Sequence, residues 1–235
     1  MEMDIDAQID ELLPRLTPRR LEKMLRALEW RTRRITVVME DVFQPHNAAA
    51  VLRSCDAFGI QDVYILENLY KLKIDRGVDT GVSKWMTLNY RSLPTASSMR
   101  FGMHKPDVLG PDARENTRLL LSELKRKGYL LAASSLTPGA CSIDSVPVDR
   151  PVALLIGTEL SGLSPAAHEM ADVVFSIPML GFAQSFNLSV FAALCLQKIC
   201  LAMRALDDSW KMSEAEKKEL LLKWLRTSID GENSK

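Results

Sequence analysis

Histidine is scarce in this chain, with three residues in 235, and the four cysteines are scattered. Cys55, Cys141, Cys195 and Cys200 lie in or near apolar segments without the paired spacings of a zinc ligand set. With only His46, His104 and His168 to join them, no metal site is expected. The cysteines read instead as small buried hydrophobes of a reducing compartment. Net charge is also missing: 30 basic residues balance 30 acidic ones, so the overall charge selects no class of partner. The first eleven residues carry five acids and no Lys or Arg, which fits neither a signal nor a transit peptide. The longest uncharged stretch, residues 173–197, is broken by Pro178, Gly181 and a polar cluster, so no membrane span is expected. Glycine-rich phosphate loops are absent too. The first strand-to-helix turn reads QPHNAAAV, with no G-x-G-x-x-G and no P-loop lysine, which argues against a nicotinamide-dependent enzyme. A soluble, cytoplasmic protein is the expectation.

What is present is ordinary globular sequence, 47% apolar and 26% charged, long enough for one α/β domain with terminal extensions. Charge is unevenly placed. Residues 15–34 hold eight basic residues against Glu22 and Glu29, a segment suited either to RNA phosphates or to a solvated helix face. Within it Leu21, Met24, Leu25 and Leu28 recur at helical spacing, with Thr17 as N-cap and Pro18 at N1. Short apolar, β-branched runs predict strands at 35–39, 63–66, 129–134, 152–156 and 173–177. Helices are predicted at 48–58, 115–127, 164–170, 188–206 and about 213–227. Alternating strand and helix with near-continuous apolar strands predicts α/β: a parallel sheet with helices on both faces. Residues 92–114 read as a long surface loop.

Ligands of such sheets sit beyond the carboxyl ends of the strands, and three loops there carry chemistry. The first strand leads into EDVFQPHNAAAVLRSCDAFG, where Asn47 is a candidate cap. Arg53 stands apart from the apolar face of Val51, Leu52, Cys55 and Phe58; it suits either a helical ion pair with Asp56 or a phosphate. The strand at 152–156 leads into GTELSGLSP, where Gly157 and Gly162 bracket Glu159. The strand at 173–177 leads into PMLGFAQSFNLSV, where Gln184, Ser185, Asn187 and Ser189 interrupt an apolar run. As capping residues they need no further role; beside two other polar loops they also suit a shared site.

N-x5-R, then LLIGTELSGLS, then IPMLGFAQSFNLSV resembles, in that order, the three motifs of the SPOUT superfamily of RNA methyltransferases. The resemblance is to its SpoU/TrmH branch, which methylates the ribose 2′-hydroxyl of tRNA, and it extends over most of residues 15–227. It implies a C-terminal deep trefoil knot, S-adenosylmethionine as cofactor, and a homodimer with a site drawing on both subunits. It divides the chain into an acidic tail and basic helix (1–34), a methyltransferase domain (35–206) and a helical extension (207–235). The terminal helices are those of enzymes acting on guanosine 18 in the tRNA D-loop. Ribosomal RNA, another tRNA position, or an inactive RNA-binding relative are the alternatives. By resemblance, cofactor contacts fall on Ser134, Gly157, Ile177 and Phe186. Catalytic roles fall on Arg53 and Asn47, supported by Glu159, Ser185 and Asn187. Arg19, Arg20 and Arg26 would grip the tRNA backbone. Thr158 stands where the family usually has Asn or Ala, and Arg100, His104 and Lys105 lie in a segment longer than in close relatives.

Overall fold

In the computed structural model, residues 4–73, 81–96, 110–137 and 139–232 are described. Seven strands form one sheet: β1 (Ile35–Glu40), β2 (Asp62–Glu67), β3 (Thr87–Ser92), β4 (Leu130–Ser134), β5 (Cys141–Ser142), β6 (Val152–Ile156) and β7 (Val173–Ser176). Their order is β3-β2-β1-β6-β4-β7-β5, and every pairing is parallel, Val37 facing Val63 on one side of β1 and Leu154 on the other. From β1 the chain adds β2 and β3 outward on one side. On the other it lays down β4 and the edge strand β5, then returns to place β6 against β1 and β7 between β4 and β5, so the connections leaving β1 and β6 run in opposite directions. A topological switch point therefore lies between these two central strands, where open parallel sheets place their ligands.

The alternating side chains of the strands sort into two cores. One face buries Val37, Met39, Ile65 and Leu154 under α3 (Pro45–Ala57) and α6 (Leu188–Leu206). The other buries Val38, Leu66, Leu131 and Leu155 under α4 (Pro111–Arg126) and α5 (Pro165–Met170). Both faces are covered, which is why these strands lack polar alternation. By length and composition, α6 could cross a membrane. Its Ala192, Cys195, Leu196, Ile199 and Cys200 pack in the first core, which accounts for its apolar character.

The predicted strands and the α/β class hold, and α6 has the predicted limits. Three expectations need correction. The acidic tail holds a helix that was not predicted, α1 (Ile5–Leu12), whose Ile9 joins α2 (Pro18–Leu28) and α7 (Glu214–Glu232) in a third apolar cluster around Trp224 and Leu225. The basic helix is shorter than residues 17–34, ending at Leu28. Beyond it Arg31 pairs with Asp56, Arg33 with Asp62 at 2.7 Å, and Arg34 donates to the Asp149 carbonyl at 2.8 Å. Three of the eight cations thus hold the chain to itself through carboxylate and carbonyl acceptors of neighbouring elements. Finally, β3 and the two-residue β5 were not predicted. As edge strands they are covered on fewer sides, and their half-buried residues do not form an apolar run. Most of the long segment at 92–114, with Arg100, His104 and Lys105, lies outside the described residues.

Candidate active site

The site begins with two acids at the end of β1. Glu40 is 3% exposed. It accepts from the Thr117 hydroxyl at 3.0 Å, the Ser164 hydroxyl at 2.8 Å and the Ser164 amide at 2.8 Å. Ser164 in turn caps α5 by accepting from the Ala167 amide, so one buried carboxylate ties the end of β1 to the end of the GTELSGLS loop. Asp41 takes the left-handed conformation, φ +52°, and its Oδ1 accepts from the amides of Asn68, Leu69 and Tyr70 at 2.8, 2.8 and 3.2 Å. Burial, with Glu40 adding to it, pushes its carboxyl up to about 6 against those hydrogen bonds. The loop that carries QPHN is thereby clamped at its start.

The second loop closes on itself. Thr158 and Gly162 exchange both backbone hydrogen bonds, at 3.1 and 2.9 Å. The Thr158 hydroxyl meets that of Ser161 at 2.6 Å, which gives the unusual threonine a local capping role. Gly162 has φ +67°, and a Cβ on Gly157 would stand under 3.0 Å from the Gly162 carbonyl. The turn thus requires glycine at 157, where the backbone approaches closely, and favours it at 162, where the conformation is left-handed.

The third loop leads into α6, where Asn187 is the N-cap, its Oδ1 accepting from the Ser189 amide at 3.1 Å. Its amide group points the other way, donating to Glu159 at 2.7 Å and to Asn47 Oδ1 at 3.1 Å. Glu159 also accepts from the Leu188 amide at 3.0 Å. Asn47 in the first turn of α3, Glu159 in the loop after β6 and Asn187 at the cap of α6 form one hydrogen-bonded group. The polar interruption of the apolar run is thus both cap and site.

Beside this group lies a cleft of about 500 Å3 at the carboxyl ends of β4, β6 and β7. Ser134, Gly157, Ile177 and Phe186 all line it, with Glu159 and Ser185. Its volume is that of a typical small-ligand pocket. Among the described residues its only ionisable lining groups are Glu159 and His168, with no Lys or Arg in the lining. Such a wall suits a cationic ligand with an apolar aromatic part and disfavours a polyphosphate.

The structure does not bring every expected residue there. Asn47 is not the cap of α3: Gln44 holds that position, and Asn47 sits in the first turn and donates its amide to the Gln44 side chain. Arg53 is exposed and lines neither the cleft nor the recess beside Asn47. Among the described residues it makes no hydrogen bond or ion pair, and Asp56, one of the two partners the sequence left open for it, is bound by Arg31. Arg19, Arg20 and Arg26 lie on α2, away from the cleft. Gln44 and His168 were missed. Gln44 could have been suspected from its place in the QPHN loop; nothing in its surroundings marked His168.

A model of the SpoU rRNA Methylase family matches residues 76–197. A Borreliella burgdorferi protein named tRNA (guanosine(18)-2′-O)-methyltransferase is 30% identical over 229 residues, 97% of this chain and 94% of that one. The chain belongs to the SpoU methylase family. Among solved structures, the A. aeolicus TrmH/SpoU tRNA modifying enzyme superposes with a TM-score of 0.72 at 28% identity, over 90% of this chain and 97% of that one. The SpoU methyltransferase AviRb from Streptomyces viridochromogenes, crystallised with the cofactor AdoMet, shares the fold at 20% identity. Its TM-score is 0.57, over 77% of this chain and 62% of that one. For this SpoU methylase, family membership makes RNA methyl transfer the chemistry the three joined loops have to serve.

Proposed function

We propose that this chain is a cytoplasmic, S-adenosylmethionine-dependent methyltransferase acting on the 2′-hydroxyl of guanosine 18 in the tRNA D-loop. The observation that carries the proposal is the Asn47–Asn187–Glu159 group set at the rim of an acid-lined cleft. The relative from Borreliella burgdorferi, matched along nearly its whole length, supports the choice of nucleotide.

The cleft fits the cofactor by its charge. Glu159 answers a cationic ligand, while Leu136, Met179 and Phe186 offer apolar surface for an adenine beside the backbone of residues 157–163. When bound, S-adenosylmethionine supplies a methyl group on a positively charged sulfur. The chain's own residues have to do the rest. Asn47 and Asn187 hold each other in one orientation and so present fixed polar groups to a ribose hydroxyl. Ser185 lines the same wall. Glu159 fixes Asn187 and the first amide of α6, keeping the rim rigid. Arg53 supplies a guanidinium cation that steadies the developing alkoxide and the neighbouring phosphate.

Because Arg53 stands outside the cleft of its own chain, the site is completed in a homodimer, where a second subunit's cleft or the RNA meets it. Val190, Leu194 and Leu201 form an exposed apolar stripe on α6, at 47%, 37% and 58% exposure, that supports such an interface. We further assign the C-terminal third of the catalytic domain (residues 35–206) to a trefoil knot, and residues 1–34 and 207–235 to terminal helical extensions, of which the basic helix grips RNA. The gathering of the loops after β4, β6 and β7 at one cleft supports the first assignment. The separate apolar cluster of α1, α2 and α7 supports the last. Arg19, Arg20 and Arg26 then meet the tRNA backbone.

The test is nucleoside mass spectrometry of tRNA incubated with the protein and labelled S-adenosylmethionine. One 2′-O-methylguanosine in the D-loop is expected, and none with Arg53→Ala. Transfer to another RNA alone, or an Arg53→Ala variant active within a few-fold of wild type, overturns the assignment it concerns.

A further inference from the structure

A second cavity, of about 520 Å3, lies apart from the cleft and shares no residue with it. Arg19, Arg20 and Lys23 of α2 rim it, and Trp85 and Trp224 lie within its walls. Arg31 and Asp56 also line it, but they neutralise one another. Arg31 is further held by the Ile60 carbonyl at 3.1 Å and lies 5.2 Å from the Trp224 ring centroid. Among the described residues Asp56 is the only acid in the lining and is taken by Arg31, so Arg19 and Lys23 keep their charge for a ligand.

The indoles are fixed in place. Trp224 is 2% exposed and donates its indole N–H to the Trp85 carbonyl at 2.9 Å. The two rings meet edge-on at 82° with centroids 6.0 Å apart, and Lys84 adds a cation 5.4 Å from the Trp85 centroid. A cavity for phosphate alone needs no indole, and one for an apolar ligand needs no arginine. Arginine, lysine and a half-buried tryptophan together match a ligand with a flat base and an attached phosphate.

We propose that this cavity captures one nucleotide of the substrate RNA, the base against Trp85 and the phosphate against Arg19 and Lys23. The proposal rests on the RNA reading above and deepens it. Asp56 lies three residues beyond Arg53 on α3, about 4.5 Å along the helix axis. A nucleotide held there anchors the RNA next to the helix that carries Arg53. The floor is built before ligand arrives, so little ordering is lost on binding.

The test titrates the full-length protein with a fluorescent tRNA transcript at several salt concentrations, and separately with S-adenosylhomocysteine by calorimetry. Trp85→Leu should weaken tRNA binding about ten-fold, equivalent to about 1.4 kcal/mol and within the range of one base–aromatic contact. The salt slope and S-adenosylhomocysteine affinity should stay unchanged, and Trp85→Phe should recover most of the loss. Lys23→Glu, at an exposed position, should weaken binding and flatten the slope, and it decides the matter alone if Trp85→Leu does not fold. Binding within two-fold of wild type in the folded variants overturns the proposal. Wild-type protein that methylates tRNA while the variants bind normally leaves the enzyme assignment standing and refutes the cavity alone; wild-type protein that binds no RNA refutes both.

Discussion

Gly157→Ala tests whether the loop after β6 is built for its ligand. The new Cβ would lie under 3.0 Å from the Gly162 carbonyl and from the Leu163 amide nitrogen. Those atoms are backbone, so the loop has to open. Opening breaks the reciprocal pair between Thr158 and Gly162, at 3.1 and 2.9 Å, each bond worth about 1 kcal/mol net. The strand behind it is unaffected, since Val152 through Ile156 stay buried in the sheet. The cost of about 2 kcal/mol therefore falls on the loop, and binding that requires the closed loop must supply it. Affinity for S-adenosylhomocysteine, read by calorimetry, should fall roughly thirty-fold.

The global fold should lose little, with the midpoint of thermal unfolding dropping by no more than about 2–4 °C for each kcal/mol that does reach the core. Gly162→Asn is the control. A Cβ at Gly162 meets nothing within 4 Å, and Asn tolerates its φ of +67°, so binding should stay within a few-fold of wild type. Equal affinities for Gly157→Ala and wild type, with both folded, would refute the claim that this turn shapes the cleft.

Other outcomes follow from the same contacts. Asn187→Ala should lose about 1 kcal/mol as a lost N-cap and also at least ten-fold in methyl transfer. Asn187→Ser, which keeps the cap, should restore the unfolding midpoint but not the activity; recovery of both would make Asn187 purely structural. For Asp41, a folded pKa of about 6 against 3.8 means the folded state holds its proton more tightly. Its contribution is fully present below pH 3.8 and lost as pH rises through 6, about 3 kcal/mol in all. Asp41→Asn keeps the Oδ1 acceptor and suits the left-handed backbone, so its advantage over wild type in urea denaturation should widen between pH 4.5 and 7; a constant gap contradicts this. Neutralising Arg19, Arg20 and Arg26 together should reduce the slope of log affinity for tRNA against log salt by about 2–3, and an unchanged slope would exclude α2 from the phosphate contacts.

The framework was legible because burial on both faces writes itself into sequence. Val37, Val63 and Leu154 are in register across three strands, and each sits in a run that only a covered parallel strand explains. The four positions that family motifs single out, Ser134, Gly157, Ile177 and Phe186, line one cleft although they are far apart in sequence. Pairings between distant charges were not legible. Nothing in the local sequence shows that Asp56 turns to Arg31, 25 residues earlier, instead of Arg53, three residues away. A helical neighbour at that spacing gains only a few tenths of a kcal/mol at the surface. Arg31 is 3% exposed and, left unpaired, would cost several times that amount. Burial decides the contest, and burial of one residue depends on the whole fold.

That contest has a functional consequence. With Asp56 held by Arg31, the carboxylate nearest to Arg53 along α3 does not compete for its guanidinium, and under the proposed function that leaves its charge for an incoming phosphate or alkoxide. Asp56→Asn should then leave Arg53 as available as before but strand Arg31 as a buried, unpaired cation. The variant should be destabilised by about 3 kcal/mol or more, while kcat per folded molecule stays near wild type. A large fall in kcat with little loss of stability would mean that Asp56 serves Arg53 after all, and that the ion pair with Arg31 is not what sets the arginine free.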